Sequence, residues 1–284
     1  MTGGQVPSGS GTYTWRGRRL AYETYGTGEP VVVLLHGLLM DTRIYRRTAR
    51  ELAALGHHVV LLDLLGHGES DKPVHAVEYR IDVYGDQVVA LLDHLGVDRA
   101  VIGGMSLGAN VSLHVAAHHP DRVLGLVLEM PVLERAVPAA AMTFVPLLLL
   151  VHVALPVVRV LGKVAGLVSR LPSDFVASGL APLTKPPEAT RAILHGILVG
   201  PTVPPVEDRR AVVAPALVLG HKADLIHPFN DAEALVRQLR DARLVQASSL
   251  LEMRLRPARL HGEIDRFLTE IERRSAGPLS ATGS

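Results

Sequence analysis

Residues 100–108 read Ala100-Val101-Ile102-Gly103-Gly104-Met105-Ser106-Leu107-Gly108. The first three form a short apolar run of the kind a buried strand uses. From Leu107 to His118 the pattern turns helical, with Leu107, Val111 and Val115 on one side and Asn110, His114 and His118 on another. Ser106 therefore falls on a sharp turn between a strand and a helix. Gly104 and Gly108 flank it at G-x-S-x-G spacing. So tight a turn brings backbones together, and a Cβ at either glycine would collide. The serine hydroxyl is pushed clear of its own backbone at a helix N-terminus. Unpaired N–H groups and the positive end of the helix dipole favour a developing oxyanion there. A strand–turn–helix of this form presents a nucleophile. The plainer alternative is a glycine-rich turn with an incidental serine.

On either side of this turn, buried strands alternate with helices. Thr12–Trp15 and Arg18–Tyr25 read as two short strands joined at Arg16-Gly17. Val31–Leu35 is a continuous apolar run that ends at His36-Gly37, and a helix over Ile44–Leu55 stops at Gly56. Val59–Leu64 is a further strand, followed by a helix over Arg80–Leu95. After the serine helix come a strand at Val123–Leu128, another at Pro215–Leu219, a helix at Asp231–Leu239, a strand at Arg243–Ala247 and a last helix over Pro257–Glu272. Such alternation predicts an α/β fold with a mostly parallel sheet and right-handed crossovers. The rhythm breaks between about Leu133 and Pro205, a stretch rich in Pro, Ala, Leu and Val that reads as helices. The expected organisation is a core built from residues 1–132 and 206–274, an inserted helical cap over 133–205, and a disordered tail over 275–284.

Composition narrows the classes of partner. A chain of 284 residues suffices for one large α/β domain or two small ones. With a net charge of +1 and no long basic run, nucleic acid is not indicated. The absence of cysteine excludes disulfides and thiolate metal sites. Met1–Gly11 is polar and glycine-rich without an apolar core, so no secretory signal is expected and the expected location is cytoplasmic. Only 4% of residues are aromatic against 48% hydrophobic, which implies a Leu, Val and Ala interior suited to strands buried on both faces. Phe144–Val158 is almost wholly apolar. Pro146, His152, Pro156 and Arg159 interrupt or end it, and its runs fall short of the ~20 residues a membrane span needs, so no integral span is expected. A cap that is apolar over the site would exclude water and favour a small apolar substrate.

Four features together resemble the α/β-hydrolase superfamily over about Tyr13 to Leu268, in its serine-nucleophile, esterase- and lipase-like branch. They are His36-Gly37 after the third strand, Asp63-Leu64-Leu65-Gly66-His67-Gly68-Glu69-Ser70 after the fourth, Gly104-Met105-Ser106-Leu107-Gly108, and Gly220-His221-Lys222-Ala223-Asp224 with Pro228 beyond. The resemblance implies the α/β-hydrolase fold with an inserted helical cap. It also implies Ser106 as nucleophile, an oxyanion hole made by the backbone N–H groups of Leu38 and Leu107, and Asp224 as the acid that orients an imidazole. His36, Gly37, Gly104 and Gly108 would shape the site, and His67 would shape a turn beside it.

One part of the pattern is missing. The superfamily normally places its catalytic histidine between the last strand and the last helix, and here that loop, Ser248 to Arg256, contains none. Without a base, a serine hydroxyl is a weak nucleophile. His261, one turn into the last helix, is the leading candidate. The alternatives are His227, three residues after Asp224, whose bland reading is a polar residue starting the His227-Pro228 turn, or no histidine at all. Glu252 lies in the loop where the base belongs, but Arg254 and Arg256 nearby favour a structural salt bridge over a basic role.

The implied activity is hydrolysis of a carboxylic ester of a small to medium apolar substrate through an acyl-enzyme on Ser106. The alternative is a non-hydrolytic protein of the same fold that binds, cyclises or isomerises a ligand in an apolar pocket. A haloperoxidase-like or C–C-cleaving relative would use much the same groups. A serine at the nucleophile position disfavours an aspartate-nucleophile dehalogenase or epoxide hydrolase. No cofactor and no metal are indicated. The histidines are scattered, the pairs His57-His58 and His118-His119 do not share a face, and the Gly103–Gly108 turn lacks the spacing and the lysine of a nucleotide loop.

Overall fold

The computed structural model describes residues 8–153, 160, 173–222, 224, 226–249 and 251–275. The proposed tail from 276 onward, and part of the inserted segment, lie outside the described residues. Eight strands form one sheet in the order β1-β2-β4-β3-β5-β6-β7-β8. They are β1 (Gly9–Trp15), β2 (Arg18–Tyr25), β3 (Val31–Leu35), β4 (His58–Asp63), β5 (Ala100–Met105), β6 (Val123–Glu129), β7 (Ala216–His221) and β8 (Ala242–Ala247). β1 pairs with β2, and β2 with β4, antiparallel; from β4 through β3 to β8 every pairing is parallel. The alternation of strands and helices predicts this mostly parallel α/β sheet, and the resemblance to α/β-hydrolases implies the particular fold that it forms. β1 begins three residues earlier than its apolar content suggests, because Gly9–Gly11 pair with Thr24–Tyr22.

Strand alternation divides the core between the two faces of the sheet. Val31, Val33 and Leu35 of β3 point into one buried cluster; Val32 and Leu34 point into the other. The first face is covered by α2 (Ile81–Leu95) and α3 (Leu107–His118), whose Val88, Leu91, Val111 and Val115 join the cluster. The second is covered by α1 (Arg46–Ala54) and by the last helix, which supply Ala49, Leu52, Leu260, Ile264, Phe267 and Leu268. Burial on both faces explains why the central strands read as continuous apolar runs and do not alternate.

Between β6 and β7 the described residues form α4 (Ala136–Val153), α5 (Asp174–Thr184), α6 (Pro187–Val199) and α7 (Val206–Ala211). After β7 comes α8 (Phe229–Gln238), and after β8 the short α9 (Glu252–Leu255) and then α10 (Ala258–Ser275). The candidate site residues in loops follow the carboxyl ends of parallel strands: residues 36–41 after β3, Ser106 after β5, and Asp224 and His227 after β7. Parallel strand ends gather ligand sites in open α/β sheets.

Candidate active site

Ser106 occupies the turn between β5 and α3 with φ of 52° and ψ of −112°. A positive φ is uncommon for a residue with a side chain, and here it lifts the hydroxyl away from the sheet. The Ser106 N–H donates to the Glu129 carbonyl at 2.9 Å, and its own carbonyl accepts from Asn110 N at 3.1 Å. The flanking glycines are required by close approach. A Cβ on Gly104 would lie 2.2 Å from the Leu35 carbonyl oxygen, and one on Gly108 would meet the same oxygen at 2.2 Å.

His227 faces the serine. Its Nε2 lies 2.9 Å from Ser106 Oγ, and its Nδ1 lies 2.8 Å from Asp224 Oδ2. An ionised carboxylate can only accept, so Nδ1 carries the proton and Nε2 is free to accept from the serine hydroxyl. Asp224 is held in turn: its Oδ1 accepts from the backbone N–H groups of Ile226 at 2.8 Å and His227 at 3.0 Å. Burial alone would push its pKa up, but the hydrogen bond and charge of His227, with these two backbone donors, hold it below the usual carboxylate value. The Asp224 and His227 side chains therefore form a closed turn at i, i+3, anchored by Pro228 at the start of α8.

His261, the leading candidate for the base, is placed elsewhere. α10 begins at Ala258, so His261 lies in its first turn with its N–H on the Pro257 carbonyl. Its side chain turns onto α1, with Nδ1 2.5 Å from Glu51 Oε2 and Nε2 3.0 Å from Thr48 Oγ1. Burial lowers its pKa, against the raising effect of Glu51. Both ring nitrogens are thus committed to a helix–helix contact, and the histidine that reaches Ser106 is His227. The signal for it was the Asp-x-x-His spacing, which lets one short loop supply both groups.

The loop expected to hold the base is filled by other chemistry. Glu252 accepts from Arg259 through both carboxylate oxygens, at 2.8 and 2.9 Å, and from Ser248 Oγ at 2.7 Å. The Arg259 hydrogen bond is the main reason its pKa falls to about 2. This is the salt bridge expected of Glu252, with Arg259 in place of Arg254 or Arg256. Arg254 instead reaches behind the serine, where Nη2 donates to Glu129 Oε2 at 2.8 Å beside Met105 Sδ at 3.0 Å.

The loop after β3 is stiffened from three sides. His36 Nε2 accepts from Leu64 N at 3.1 Å, and His67 Nε2 accepts from Leu39 N at 3.1 Å. Burial lowers both histidines, His36 to about 4 and His67 well below its ordinary value, so both rings are neutral. From the inserted segment, Lys185 Nζ donates to the carbonyls of Leu39 at 2.6 Å and Met40 at 3.2 Å. Desolvation brings the Lys185 pKa down to about 7. Leu39 has φ of 63°, a strained conformation for a branched residue that these contacts hold in place. Sequence reasoning did not single out Lys185; a lone lysine in a helical stretch carries no local signal of a backbone partner 146 positions away.

A cavity of about 110 Å³ opens on Ser106. Leu38, Leu107 and Ile226 line it from the strand-end loops, and Val137, Ala140 and Phe144 of α4 form the facing wall. Asn110 also borders it, one turn beyond the serine. The Asn110 amide donates to the carbonyls of Val132 at 2.7 Å and Thr202 at 2.8 Å, and its oxygen accepts from Val132 N at 3.1 Å. It therefore ties both ends of the inserted segment to the serine helix. Asn110→Asp keeps the shape but removes both donors and sets a carboxylate against two carbonyls. We expect it to cost at least about 2 kcal/mol in urea unfolding; a change under about 0.5 kcal/mol, the size of an ordinary surface substitution, would show that the tie is not structural. Among the described residues no group of three or more His, Asp or Glu side chains is placed to hold a metal ion.

Comparison with known proteins agrees with this architecture. Residues 30–148 match the alpha/beta hydrolase fold family. A haloalkane dehalogenase of Mycolicibacterium paratuberculosis is 34% identical over 114 residues, which is 39% of this chain and 38% of that protein. The matched regions span less than half the length of the curated relatives. An enol-lactonase from Burkholderia xenovorans superposes with a TM-score of 0.73 at 22% identity, covering 91% of this chain and 100% of that one. An esterase from Thermogutta terrifontis gives 0.69 at 23%, covering 92% and 97%. Residues 30–148 thus match the alpha/beta hydrolase family, and the sheet order and the structural neighbours give the chain the α/β-hydrolase fold.

Proposed function

We propose that this protein is a serine hydrolase that cleaves the carboxylic ester of a small to medium apolar substrate. The observation that carries the reading is the chain of contacts from Ser106 Oγ through His227 to Asp224, at 2.9 and 2.8 Å. Ser106 Oγ attacks the ester carbonyl carbon while His227 Nε2 takes the hydroxyl proton. Asp224 fixes the tautomer and stabilises the imidazolium that forms. The backbone N–H groups of Leu38 and Leu107 receive the oxyanion; one such donor contributes about 2.7–4 kcal/mol. Collapse of the tetrahedral intermediate expels the alcohol, protonated by His227, and leaves the acyl group on Ser106. Water, deprotonated by His227, then releases the acid. The apolar cavity wall supplied by α4 supports an apolar acyl or alkyl group.

The reading of a non-hydrolytic binder rested on the lack of a base beside the serine, and His227 removes that motive. Structural neighbours described as an enol-lactonase and an esterase support ester chemistry as the reaction class. Hydrolysis of p-nitrophenyl butyrate by wild type and Ser106→Ala tests the proposal. The expected result is turnover by wild type and a loss of about 10⁴-fold or more in the variant, with an unchanged circular dichroism spectrum. Turnover indifferent to Ser106 would overturn it.

A further inference from the structure

The loop after β3 turns sharply. Met40 N donates to the Gly37 carbonyl at 3.1 Å and closes a four-residue turn. Leu39, with φ of 63°, holds a position in that turn that usually takes glycine or asparagine. Four successive N–H groups of the loop have partners. Leu39 N donates to His67 Nε2, Met40 N to the Gly37 carbonyl, Asp41 N to Ser178 Oγ at 3.3 Å and Thr42 N to Asp63 Oδ1 at 2.8 Å. The Leu38 N–H has no partner among the described residues, and Leu38 lines the cavity at Ser106.

The carbonyls of the loop are held from the inserted segment. Lys185, between α5 and α6, is 6% exposed, and its Nζ donates to the carbonyls of Leu39 at 2.6 Å and Met40 at 3.2 Å. The Leu39 carbonyl and the Met40 N–H belong to one peptide plane. The Gly37 carbonyl, which Met40 N reaches, belongs to another plane with the Leu38 N–H. In a trans peptide the C=O and N–H point in opposite directions. Lys185 Nζ and these two peptides therefore form one head-to-tail chain of hydrogen bonds that ends at the Leu38 N–H. His36 joins it. Its Nε2 accepts from Leu64 N, so Nδ1 carries the proton and donates to the Gly37 carbonyl at 2.9 Å.

We propose that Lys185 is a positioning residue for the oxyanion hole, acting through these two peptides on the Leu38 N–H. This role rests on the proposed hydrolysis, in which that N–H meets the oxyanion. Lys185 fixes the Leu39–Met40 peptide, whose unusual backbone conformation would otherwise relax. Its donation to the Leu39 oxygen also strengthens the Met40 N–H and then the Leu38 N–H as donors, because hydrogen bonds in a chain polarise one another. The amine keeps at least two N–H groups in either protonation state, enough for both carbonyls. Ser178 supplies the contrast. It comes from the same segment and touches the same loop, but its partners, the Asp41 N–H and carbonyl, lie outside this chain of peptides. The inserted segment thus contributes to the chemistry as well as to the cavity wall.

Kinetics of Lys185→Met, Lys185→Ala and Ser178→Ala on p-nitrophenyl butyrate test the proposal. Loss of a whole oxyanion donor costs about 10²–10³ in kcat, and weakening one costs less. The expected result for both Lys185 variants is a kcat lowered about 10- to 100-fold with KM within about threefold of wild type. Affinity for an alkyl trifluoromethyl ketone, whose hemiketal oxygen sits where the oxyanion forms, should fall by the same factor. Ser178→Ala should keep kcat within about threefold. Lys185 also borders a polar cleft of about 490 Å³ with Asp41, Thr42, Asp63 and Lys72. Through that cleft, propylammonium can replace the carbons and nitrogen missing from Lys185→Ala, and it should recover part of the lost kcat. A folded Lys185→Met with kcat within about threefold of wild type, or an equal loss in Ser178→Ala, would overturn the proposal. So would propylammonium that restores the Tm of Lys185→Ala but not its kcat. A wild type that fails to turn over the ester, or does so without Ser106, is the separate failure of the hydrolase reading. Fluorophosphonate labelling, which places a phosphoryl oxygen in the same hole, then decides. Slowing confined to the Lys185 variants supports the role of Lys185, and equal or absent labelling in all chains overturns it.

Discussion

His227→Ala is expected to lower ester turnover by about 10⁴-fold or more, and His261→Ala to leave the folded enzyme's turnover within an order of magnitude of wild type. The contrast follows from where the two rings sit. His227 offers Nε2 to Ser106 Oγ at 2.9 Å, and nothing else in that contact takes the serine proton. His261 is 2% exposed and spends both nitrogens on Glu51 and Thr48. Its removal unpairs groups between α1 and α10, a stability effect of about 1–3 kcal/mol that should appear in unfolding and leave the chemistry alone. Initial rates on p-nitrophenyl butyrate, normalised to folded protein, separate the outcomes. Equal losses in the two variants would mean that the His227 contact is not the one used.

The second large effect is predicted behind the serine. Glu129 is 1% exposed at the end of β6, and its Oε2 accepts from Arg254 Nη2 at 2.8 Å and from the Tyr45 hydroxyl at 2.8 Å. His221 stands near, its Nε2 3.6 Å from Glu129 Oε1. Arg254→Met removes the arginine and leaves a buried carboxylate without a compensating charge. Such losses cost about 3–5 kcal/mol, more than the pair contributes against an apolar replacement. Urea unfolding should show that destabilisation, and the double variant Arg254→Met/Glu129→Gln should recover a measurable part of it. If the double variant is no more stable than Arg254→Met, the cost lies in lost packing around Met105 and Tyr45, and the unpaired charge is not its source.

The same residues show what could be read in the chain and what could not. Local signals were sufficient for the strands and for the serine turn. Val31–Leu35 and Ala100–Met105 are buried from end to end, and the collisions that demand Gly104 and Gly108 are with the neighbouring strand at Leu35. His36 and His67 take backbone partners, in keeping with the shaping roles their positions imply. His261 is the natural candidate because the usual histidine follows the last strand, whereas the histidine that touches Ser106 lies after β7 with Asp224. Partnerships such as Ser106 with His227, 121 positions apart, or Arg254 with Glu129, 125 apart, are decided by how strand ends gather, and no short pattern encodes them. Glu252 shows the same limit on a smaller scale. Its pairing with an arginine was legible, but the choice of Arg259 over Arg254 depends on the direction in which α10 leaves the loop.

If His227 activates Ser106, the rate of fluorophosphonate labelling reports that activation without the choice of a substrate. Wild type, His227→Ala and His261→Ala would be treated side by side, with the modified residue located by peptide mass spectrometry. Rapid labelling at Ser106 is expected in wild type and in His261→Ala, and labelling slowed by at least about 10²-fold in His227→Ala. Undiminished labelling in His227→Ala, or its loss in a folded His261→Ala, would contradict it.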